Sequence, residues 1–394
     1  MHIQDIRIKN FKSLKDVHLT NVPKFTVLVG ANGSGKSTFF DIFGFLRDCL
    51  KNNVRQALQV RGGFREVVSR EQENEPILIE LKAKVNLIDR ERVVTYGVEI
   101  RLEKGQPIVA NEYLRYRRGG TGQPFYFLKF SNGEGEAIVD EENFASDLEL
   151  KRETQRLDSP DILAIKGLGQ FQRFLAASQF RSLIENWHVS DFHISAARGS
   201  KDAGYAEHLS PEGDNLPLVT QFLYESHPTI FGRILDKMKR RVPGVAGVTA
   251  ETMADGRLVL RFQDGSFKDP FVSRFVSDGT IKMFAYLVLL NDPTPHPLLC
   301  VEEPENQLYP TLLPHLAEEF AEYSARGGQV FVSTHSPDFL NHVDLENIYW
   351  LHKTKGFTSV RRANQEQQLV KFAEAGDHPG DLWKQGLFEG ADPK

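Results

Sequence analysis

A phosphate-binding loop near the amino terminus constrains this chain more than any other feature. Residues 30–37 read GANGSGKS, the GxxxxGK(S/T) pattern, and they follow the apolar run Phe25–Val29. In such a loop the backbone N–H groups point at phosphate oxygens, the lysine reaches the β- and γ-phosphates, and the serine hydroxyl binds Mg²⁺. The pattern predicts a strand, a loop and a helix that bind a nucleoside triphosphate. The predicted contacts are Gly30, Asn32, Gly33, Ser34, Gly35, Lys36, Ser37 and Thr38.

The residues after the loop have the spacing of a helix with one buried face. The positive end of that helix adds to the attraction for phosphate. Its apolar positions recur at helical intervals, so we expect the helix to pack on a sheet. These positions are Phe39, Ile42, Phe43, Leu46 and Leu50.

Composition gives only broad limits. The chain has 394 residues, 40% of them hydrophobic, and a formal net charge of −5, so a nucleic-acid surface would have to be a local patch. Cys49 and Cys300 both lie in apolar segments, which indicates buried thiols in a reducing compartment. The longest apolar run, Met283–Leu290, is too short to span a bilayer. We expect a cytoplasmic protein without a membrane partner.

Strand-like and helix-like patterns alternate along the chain. Two short strands are predicted within residues 3–19, leading into the phosphate-loop strand. Residues 77–139 indicate an antiparallel sheet with one solvated face. Helical spacing follows within 161–187 and in one helix from about Leu216 to Met238, and residues 258–262 lie between two Asp-Gly turns, a hairpin signal.

From Ile281 onward, strands and helices alternate as in a parallel sheet. The predicted fold class is therefore α/β, with a phosphate-loop core split by an insertion. The expected division is 1–150 for the first half of the core with an antiparallel β subdomain, 151–280 for a helical lobe, and 281–394 for the second half of the core.

Two acids end a second buried strand. Leu298–Val301 is followed by Glu302 and Glu303. A strand that ends in acids places a carboxylate beside Mg²⁺ in phosphate-loop enzymes, and the adjacent acid can deprotonate the attacking water. The alternative is an exposed strand end, where paired acids are common.

A histidine follows the next predicted strand. Gln329–Val332 is an apolar run, and His335 comes just after it, beyond a predicted helix at Thr311–Ala325. Ligands bind at the carboxyl ends of strands in an open α/β sheet, which favours a γ-phosphate contact for this histidine over a structural one.

The order of these motifs resembles the ABC-type ATPases of the RecF, SMC and OLD group. The motifs are GANGSGKS, then SDGT at 277–280, VEEPEN at 301–306 and STHSP at 333–337. The opening IRIKNFKSLKDVHL and the stretch LSPEGDNLPLVTQFL are also similar to RecF-like ATPases. The resemblance covers nearly the whole chain. It implies the ABC-ATPase head fold, with ATP and Mg²⁺ as substrate and cofactor.

The resemblance also implies roles for single residues. Lys36 and Ser37 hold phosphate and Mg²⁺, Glu302 is the metal-side acid and Glu303 is the general base. His335 is the switch histidine.

Three further positions imply a dimer by the same resemblance. Asn306–Leu308 corresponds to the dimer-contacting D-loop. Ser277 and Gly279 match the signature loop, which in this family contacts the γ-phosphate of the other subunit. The implied assembly is a head-to-head homodimer with two sandwiched nucleotides.

Some positions depart from the family pattern. Glu302 stands where many relatives have Asp, and SDGT is not the LSGGQ of transporters. The Q-loop is not fixed by the sequence: Gln170 is one candidate, and Gln59 and Gln106 are the others.

Rival functions differ in what surrounds these motifs. Transporter subunits have a shorter insertion, long SMC proteins have heptad repeats, and OLD nucleases have an appended Toprim domain. Asp377 and Asp381 are expected to be loop acids and not a metal pair. The leading hypothesis is a slow regulatory ATPase of bacterial antiphage defence or DNA repair, acting on a separate nuclease or Toprim-like effector. The alternative is a stand-alone RecF-like DNA-binding repair ATPase, and a transporter subunit is less favoured.

Two basic clusters are candidate DNA contacts, with a solvated face as the alternative for each. One holds Arg115, Arg117 and Arg118, and the other holds Lys237, Lys239, Arg240 and Arg241. Near the carboxyl terminus, Tyr349, Trp350 and Phe357 are expected in the core, whereas Trp383 and Phe388 either dock a partner or pack as an ordinary tail.

Overall fold

The computed structural model describes residues 1–116, 125–139 and 151–391. The first part of the chain is rich in strands. Its elements, in chain order, are β1 (His2–Phe11), β2 (Leu14–Leu19), β3 (Phe25–Val29), α1 (Lys36–Lys51), α2 (Val54–Val60), α3 (Phe64–Val67), β4 (Ile77–Leu87), β5 (Arg90–Glu103), β6 (Gln106–Tyr116), β7 (Phe125–Ser131), β8 (Glu134–Ile138), β9 (Arg152–Arg156), α4 (Ala164–Leu168) and α5 (Leu175–Glu185).

The remainder mixes helices and short strands. Its elements are β10 (His188–Ser190), α6 (Ile194–Ala197), β11 (Lys201–Asp202), α7 (Leu216–Ser226), α8 (Pro228–Arg241), β12 (Val245–Thr252), β13 (Arg257–Asp264), β14 (Phe271–Val272), α9 (Asp278–Leu290), β15 (Leu298–Glu302), α10 (Leu313–Ala325), β16 (Gln329–Thr334), α11 (Pro337–Leu340), β17 (Ile348–Thr354), β18 (Phe357–Arg362), α12 (Gln367–Glu374) and α13 (Pro379–Lys384).

The chain forms two compact units. Unit 1 comprises 1–187, 345–371 and 386–394, and unit 2 comprises 188–344 and 372–385. The division predicted from sequence, after residues 150 and 280, groups the motifs differently and stays a prediction.

Unit 1 contains the antiparallel sheet predicted from residues 77–139. Its strand order is β2-β1-β4-β5-β6-β7-β8-β9, so the first two strands join this sheet as a hairpin. Burial alternates along β4, where Ile79 and Leu81 are buried and Lys82 and Lys84 are exposed, which confirms the single solvated face. In the same unit β3 pairs in parallel with β17, and β17 pairs with β18.

Unit 2 contains parallel strands with mostly buried residues. The strand β15 pairs in parallel with β10 on one side and β16 on the other. Residues 281–290 of α9 are all buried, which accounts for the long apolar run in the sequence. Among the described residues no helix is both long and apolar enough to cross a bilayer.

The predicted helix from Leu216 to Met238 is wrong in one respect. It is two helices, α7 and α8, separated at His227. Pro228 causes the break because it has no N–H to donate and disfavours helical geometry in the residue before it. The hairpin signal is confirmed by β12 and β13, which turn at Asp255–Gly256, so this predicted helical lobe also carries a small antiparallel sheet.

Candidate nucleotide-binding site

The phosphate loop in unit 1 has the backbone that its glycines predict. All five residues of β3 are buried, and α1 begins at Lys36. Gly33 and Gly35 have φ angles of 79° and 109°, a region that other residues rarely adopt. A side chain at Gly30 would collide with the carbonyl oxygen of Leu351, and one at Gly35 would collide with the hydroxyl of Thr358. The loop therefore requires glycine at position 30 for space, and at position 35 for both space and conformation.

Two polar side chains of this loop are held inside it. Lys36 Nζ donates hydrogen bonds to the carbonyl oxygens of Gly30 at 2.7 Å and Ala31 at 3.3 Å. Ser34 Oγ is buried, and no described residue provides it with a hydrogen-bond partner. Asn32 and Ser37 are exposed, and Thr38 is half-buried beside them. The loop thus presents a buried hydroxyl that no described residue satisfies, and a cation that donates to two carbonyl oxygens.

A threonine from a distant strand supports the loop. The Thr358 hydroxyl, on β18, donates a hydrogen bond to the Ser34 carbonyl at 2.8 Å and lies 2.9 Å from Ser13 Oγ. The backbone N–H of Thr358 donates to the Ser13 carbonyl at 2.8 Å. Sequence reasoning missed this residue because a lone threonine more than 300 positions from the motif gives no local signal.

The acids in unit 2 lie at the end of β15, as predicted. Glu302 is opposite Ser333 in the parallel register of β15 and β16. Glu302 is exposed, whereas Glu303 has a left-handed backbone with φ of 43°. The N–H of Glu303 donates to the Ser333 carbonyl at 2.9 Å, which fixes this unusual turn. The two acids consequently differ in exposure and in backbone conformation.

The Glu303 carboxylate is held by two neighbours. Asn306 Nδ2 donates to Glu303 Oε2 at 3.0 Å, and His335 Nδ1 lies 3.4 Å from Glu303 Oε1. The structure therefore brings His335, from STHSP, into contact with the VEEPEN motif, in which Asn306 holds Glu303.

A third acid, Glu305, organises the histidine. Its Oε1 accepts hydrogen bonds from Thr334 Oγ1 at 2.7 Å and from the His335 N–H at 2.8 Å, and it lies 3.4 Å from His335 Nδ1. Its side chain is 6% exposed. Sequence reasoning missed Glu305, although its position in VEEPEN, after two acids and a proline, was a usable signal.

A cavity of about 450 Å³ adjoins these acids within unit 2. Lys282 reaches it from α9 and donates to the Asn306 carbonyl at 2.7 Å. Burial lowers the pKa of Lys282 to about 8, while the charges of Glu305 and Glu303 oppose that shift. The cavity is therefore polar, with a buried cation facing the carboxylates. Its lining residues are Ser190, Phe192, Lys282, Tyr286, Glu302, Glu303, Asn306 and Gln307.

The predicted signature residues begin α9. Ser277 is the N-cap, and its hydroxyl accepts a hydrogen bond from the Thr280 N–H at 3.3 Å. A side chain at Gly279 would lie 3.0 Å from the Gln307 carbonyl, so the predicted signature loop and the predicted D-loop are close neighbours within the chain. Arg198 forms an ion pair with Asp278. That the loop reaches a second subunit stays a prediction.

Other sequence candidates have different outcomes. The Q-loop candidates Gln59, Gln106 and Gln170 are all exposed, and their role stays a prediction. Asp381 accepts a long hydrogen bond, 3.5 Å, from Asn341, and no metal-binding group within the described ranges includes Asp377 or Asp381.

The aromatic side chains near the carboxyl terminus are mostly core. Tyr349 and Trp350 are buried as expected, and Phe357 is half-buried. Trp383 and Phe388 are also buried, so they pack as an ordinary tail and present no docking surface.

The second basic cluster is partly internal. Lys237 and Arg241 both pair with Glu319, at 2.7 and 2.6 Å, and Glu319 is 2% exposed. Only Lys239 and Arg240 of that cluster remain exposed.

The first basic cluster is described at one residue only. Arg115 stacks over Tyr113, with 5.0 Å from its guanidinium carbon to the ring centroid. Arg117 and Arg118 lie outside the described residues.

The phosphate loop, the acid-ended strand and the histidine after the next strand, on this fold, define a P-loop ATPase of the RecF/SMC type. Residues 25–341 match the family described as "AAA domain, putative AbiEii toxin, Type IV TA system". The chain belongs to this family.

Known proteins of this type are similar to the chain at low sequence identity. The chain is 21% identical over 391 residues to the DNA replication and repair protein RecF of Bacillus cereus (strain G9842), covering 90% of this chain and 98% of RecF. It is 22% identical over 255 residues to RecF of Bacillus cytotoxicus, covering 58% of this chain and 67% of RecF. A crystal structure of the SmcHead bound to the C-winged helix domain of ScpA is 16% identical, with a TM-score of 0.55 over 92% of this chain and 97% of that one. That structure supports the ABC-ATPase head fold, which was predicted.

Proposed function

We propose that this protein binds and slowly hydrolyses ATP, and that ATP-dependent dimerisation regulates a separate effector in bacterial antiphage defence or DNA repair. The observation that carries the proposal is the arrangement around Glu303. A carboxylate at the end of a parallel strand, held by an amide and beside a histidine, is suited to accept a proton from water. The family relationship supplies the substrate class.

The residues of unit 1 fit a triphosphate. Two features of unit 1 suit an anion cradle: the buried Ser34 hydroxyl, for which the described residues offer no partner, and a loop that excludes side chains at Gly30 and Gly35. Lys36 would exchange its two carbonyl acceptors for phosphate oxygens. The hydroxyl of Ser37 and the carboxylate of Glu302 are hard oxygen donors, which suit Mg²⁺. When bound, Mg²⁺ would neutralise charge on the phosphates.

Each residue then has a defined part in hydrolysis. Glu303 orients the attacking water and accepts its proton as the water oxygen bonds to the γ-phosphorus and the bond to ADP breaks. Lys36 stabilises the charge that develops on the phosphoryl oxygens. His335 has its Nδ1 edge toward two carboxylates, which leaves Nε2 for the γ-phosphate.

The test is Glu303→Gln, which keeps the shape and removes the base. We expect turnover to fall about 100-fold or more, because general bases contribute roughly 10²–10⁴-fold, while ATP binding is retained and dimer accumulates on size exclusion. The matched control is Glu318→Gln, at an exposed acid of α10. Normal hydrolysis by Glu303→Gln would refute the assignment.

The dimer is tested separately at Ser277. Ser277→Arg places a bulky side chain at the start of α9 and is expected to prevent ATP-dependent dimerisation while monomer binding of ATP persists. Ser277→Asn, which retains a capping side chain, is the control for helix stability. A Ser277→Arg protein that still dimerises with ATP would contradict the role in the other subunit.

The regulated effector is proposed from the family relationship. The matching family is described by a toxin of a Type IV TA system, which favours a two-component assembly. A nuclease or Toprim-like protein encoded next to this gene is the expected partner. The activity of that partner should depend on ATP only when this protein is present and its Glu303 and Lys36 are unchanged. Equal effector activity with Lys36→Ala would contradict regulation by ATP.

A stand-alone DNA-binding repair function is the second candidate, because RecF proteins match across nearly their whole length. The exposed pair Lys239 and Arg240 is the remaining cationic part of α8. If they contact DNA, Lys239→Glu with Arg240→Glu should weaken binding and flatten its salt dependence. Arg233→Glu, at an exposed position on the same helix, is the control. Unchanged DNA affinity in the double variant would exclude this surface.

A further inference from the structure

Three potential metal ligands converge in unit 2, outside the acids at the end of β15. They are His208, from the segment before α7, and Asp292 and His296, from the segment that joins α9 to β15. One ligand atom from each lies within 4.8 Å of the others. This group belongs to none of the sequence motifs and has no part in the proposed hydrolysis.

The group is held by its surroundings. Asp292 is 4% exposed, and its Oδ1 accepts the Thr294 N–H at 2.8 Å, which leaves Oδ2 directed at His208 Nδ1 at 2.7 Å. Asn215 Nδ2 donates to the His208 carbonyl at 3.0 Å, which fixes that backbone. The carboxylate and the first imidazole are therefore positioned before any ion binds.

Two further imidazole rings lie near the His208–Asp292 pair. The ring of His296 lies 5.1 Å from that of His208, centroid to centroid. The ring of His188, which is buried, lies 4.8 Å from His296. A simple His–Asp ion pair accounts for His208 and Asp292, but it gives no reason for the His296 ligand atom to lie within 4.8 Å of both.

We propose that His208, Asp292 and His296 bind a divalent transition metal ion, with zinc the best fit. Two imidazole nitrogens and one carboxylate oxygen are a donor set that suits zinc. Tetrahedral zinc ligands lie roughly 3.4 Å apart at zinc–ligand distances of about 2.1 Å. Side-chain rotation that opens the 2.7 Å contact and shortens the wider ones brings the three atoms to that spacing. Water, or the His188 ring after rotation, completes the coordination.

The expected role is structural. The ion would join the segment before α7 to the one that connects α9 with β15, the strand that ends in Glu302. Metal bound only by the folded chain stabilises it by mass action.

The test uses full-length protein without a histidine tag, stripped of metal with a chelator. Zinc is titrated against a chromophoric competitor, and thermal unfolding is followed in parallel. We expect about one zinc ion per chain at micromolar affinity or tighter and a rise in Tm, since ligand at 100 times Kd adds about 2.7 kcal/mol of stability. Wild-type protein that binds no zinc in this range would overturn the proposal.

The variants assign the ligands. His208→Asn changes a half-exposed side chain and should weaken zinc binding at least tenfold and abolish the rise in Tm. His296→Ala should do the same. His315→Ala, at an exposed histidine of α10, is the matched control and should bind zinc as the wild type does. If His296→Ala fails to fold, His208→Asn decides alone; zinc binding unchanged in it would refute the site.

Discussion

The phosphate loop of unit 1 and the acid-ended strand of unit 2 are built in different ways. In unit 1 the phosphate loop is shaped by backbone: two glycines with positive φ, two positions without space for a side chain, and one supporting threonine. In unit 2 the acid edge is shaped by side chains, with Glu303 held by Asn306 and His335 anchored by Glu305. We therefore expect substitutions that add atoms to impair the phosphate loop. Substitutions that remove side-chain atoms should impair the site around Glu303.

The largest expected effect is at Gly35. Gly35→Ala adds a carbon that collides with the Thr358 hydroxyl and imposes a strained φ of 109°. Strain of about 2–3 kcal/mol corresponds to roughly 30- to 150-fold weaker ATP binding. Isothermal titration measures the affinity. Gly33→Ala is the matched control, because φ there is also positive but no atom lies within 4 Å of the added carbon. An equal loss in both variants would contradict the role of crowding.

The next effect is at Glu305, where an interaction is removed. Glu305→Ala leaves the Thr334 hydroxyl and the His335 N–H without their acceptor. We expect kcat to fall about 10- to 100-fold, as for small misplacements of catalytic groups, with KM changed less than about threefold. Glu305→Gln, which keeps one acceptor oxygen, should recover most of the rate. A purely structural role would lower the stability of both variants without this separation of kcat from KM.

A smaller effect on ATP binding is expected at Thr358, whose side chain supports the phosphate loop. Thr358→Val preserves shape but removes the hydrogen bond to the Ser34 carbonyl. Loss of about 1 kcal/mol corresponds to roughly fivefold weaker ATP binding. Thr358→Ser keeps the hydroxyl and should bind ATP as the wild type does. ATP affinity unchanged in Thr358→Val would show that the glycine backbone needs no such support.

The last prediction concerns Glu112, a buried acid elsewhere in unit 1, which is expected to affect stability but not ATP affinity. Burial raises the pKa of Glu112 to about 7, against hydrogen bonds from Ile165, Ala164 and Tyr96 that lower it. The folded state therefore binds a proton more tightly than the unfolded state, and stability contributed by protonation is lost as pH rises from about 4.5 to 7.

Urea unfolding across this pH range measures the effect. The wild type should lose on the order of 2–3 kcal/mol more than Glu112→Gln, which does not titrate. ATP affinity should be the same in both proteins, because Glu112 has no contact with the loop. Parallel pH profiles would show that the pKa of Glu112 is the same in the folded and unfolded states, and would contradict the prediction.

The difference between the phosphate loop and the acid-ended strand also decides what could be predicted from sequence. The loop, β3 and α1 were predictable because glycine spacing and helical periodicity are local signals. The acids and His335 were predictable because each follows an apolar strand. Thr358 was not predictable, since its role depends on contacts between distant segments. Glu305 was missed although the third acid of VEEPEN was a local signal. The division of α7 from α8 was missed although Pro228 marks it, because the apolar periodicity on both sides was read as continuous.

The support beneath the phosphate loop has a consequence for synthesis. Ser13, Ser34 and Thr358 meet at one point, and the contacts span 345 and 324 positions of the chain. The strand β3 likewise pairs with β17, near the carboxyl terminus. A nascent chain therefore carries the complete GANGSGKS motif long before it can form a supported loop. Nucleotide capture should begin only after β17 and β18 have been synthesised, and ribosome-bound chains stalled before residue 345 should fail to retain ATP.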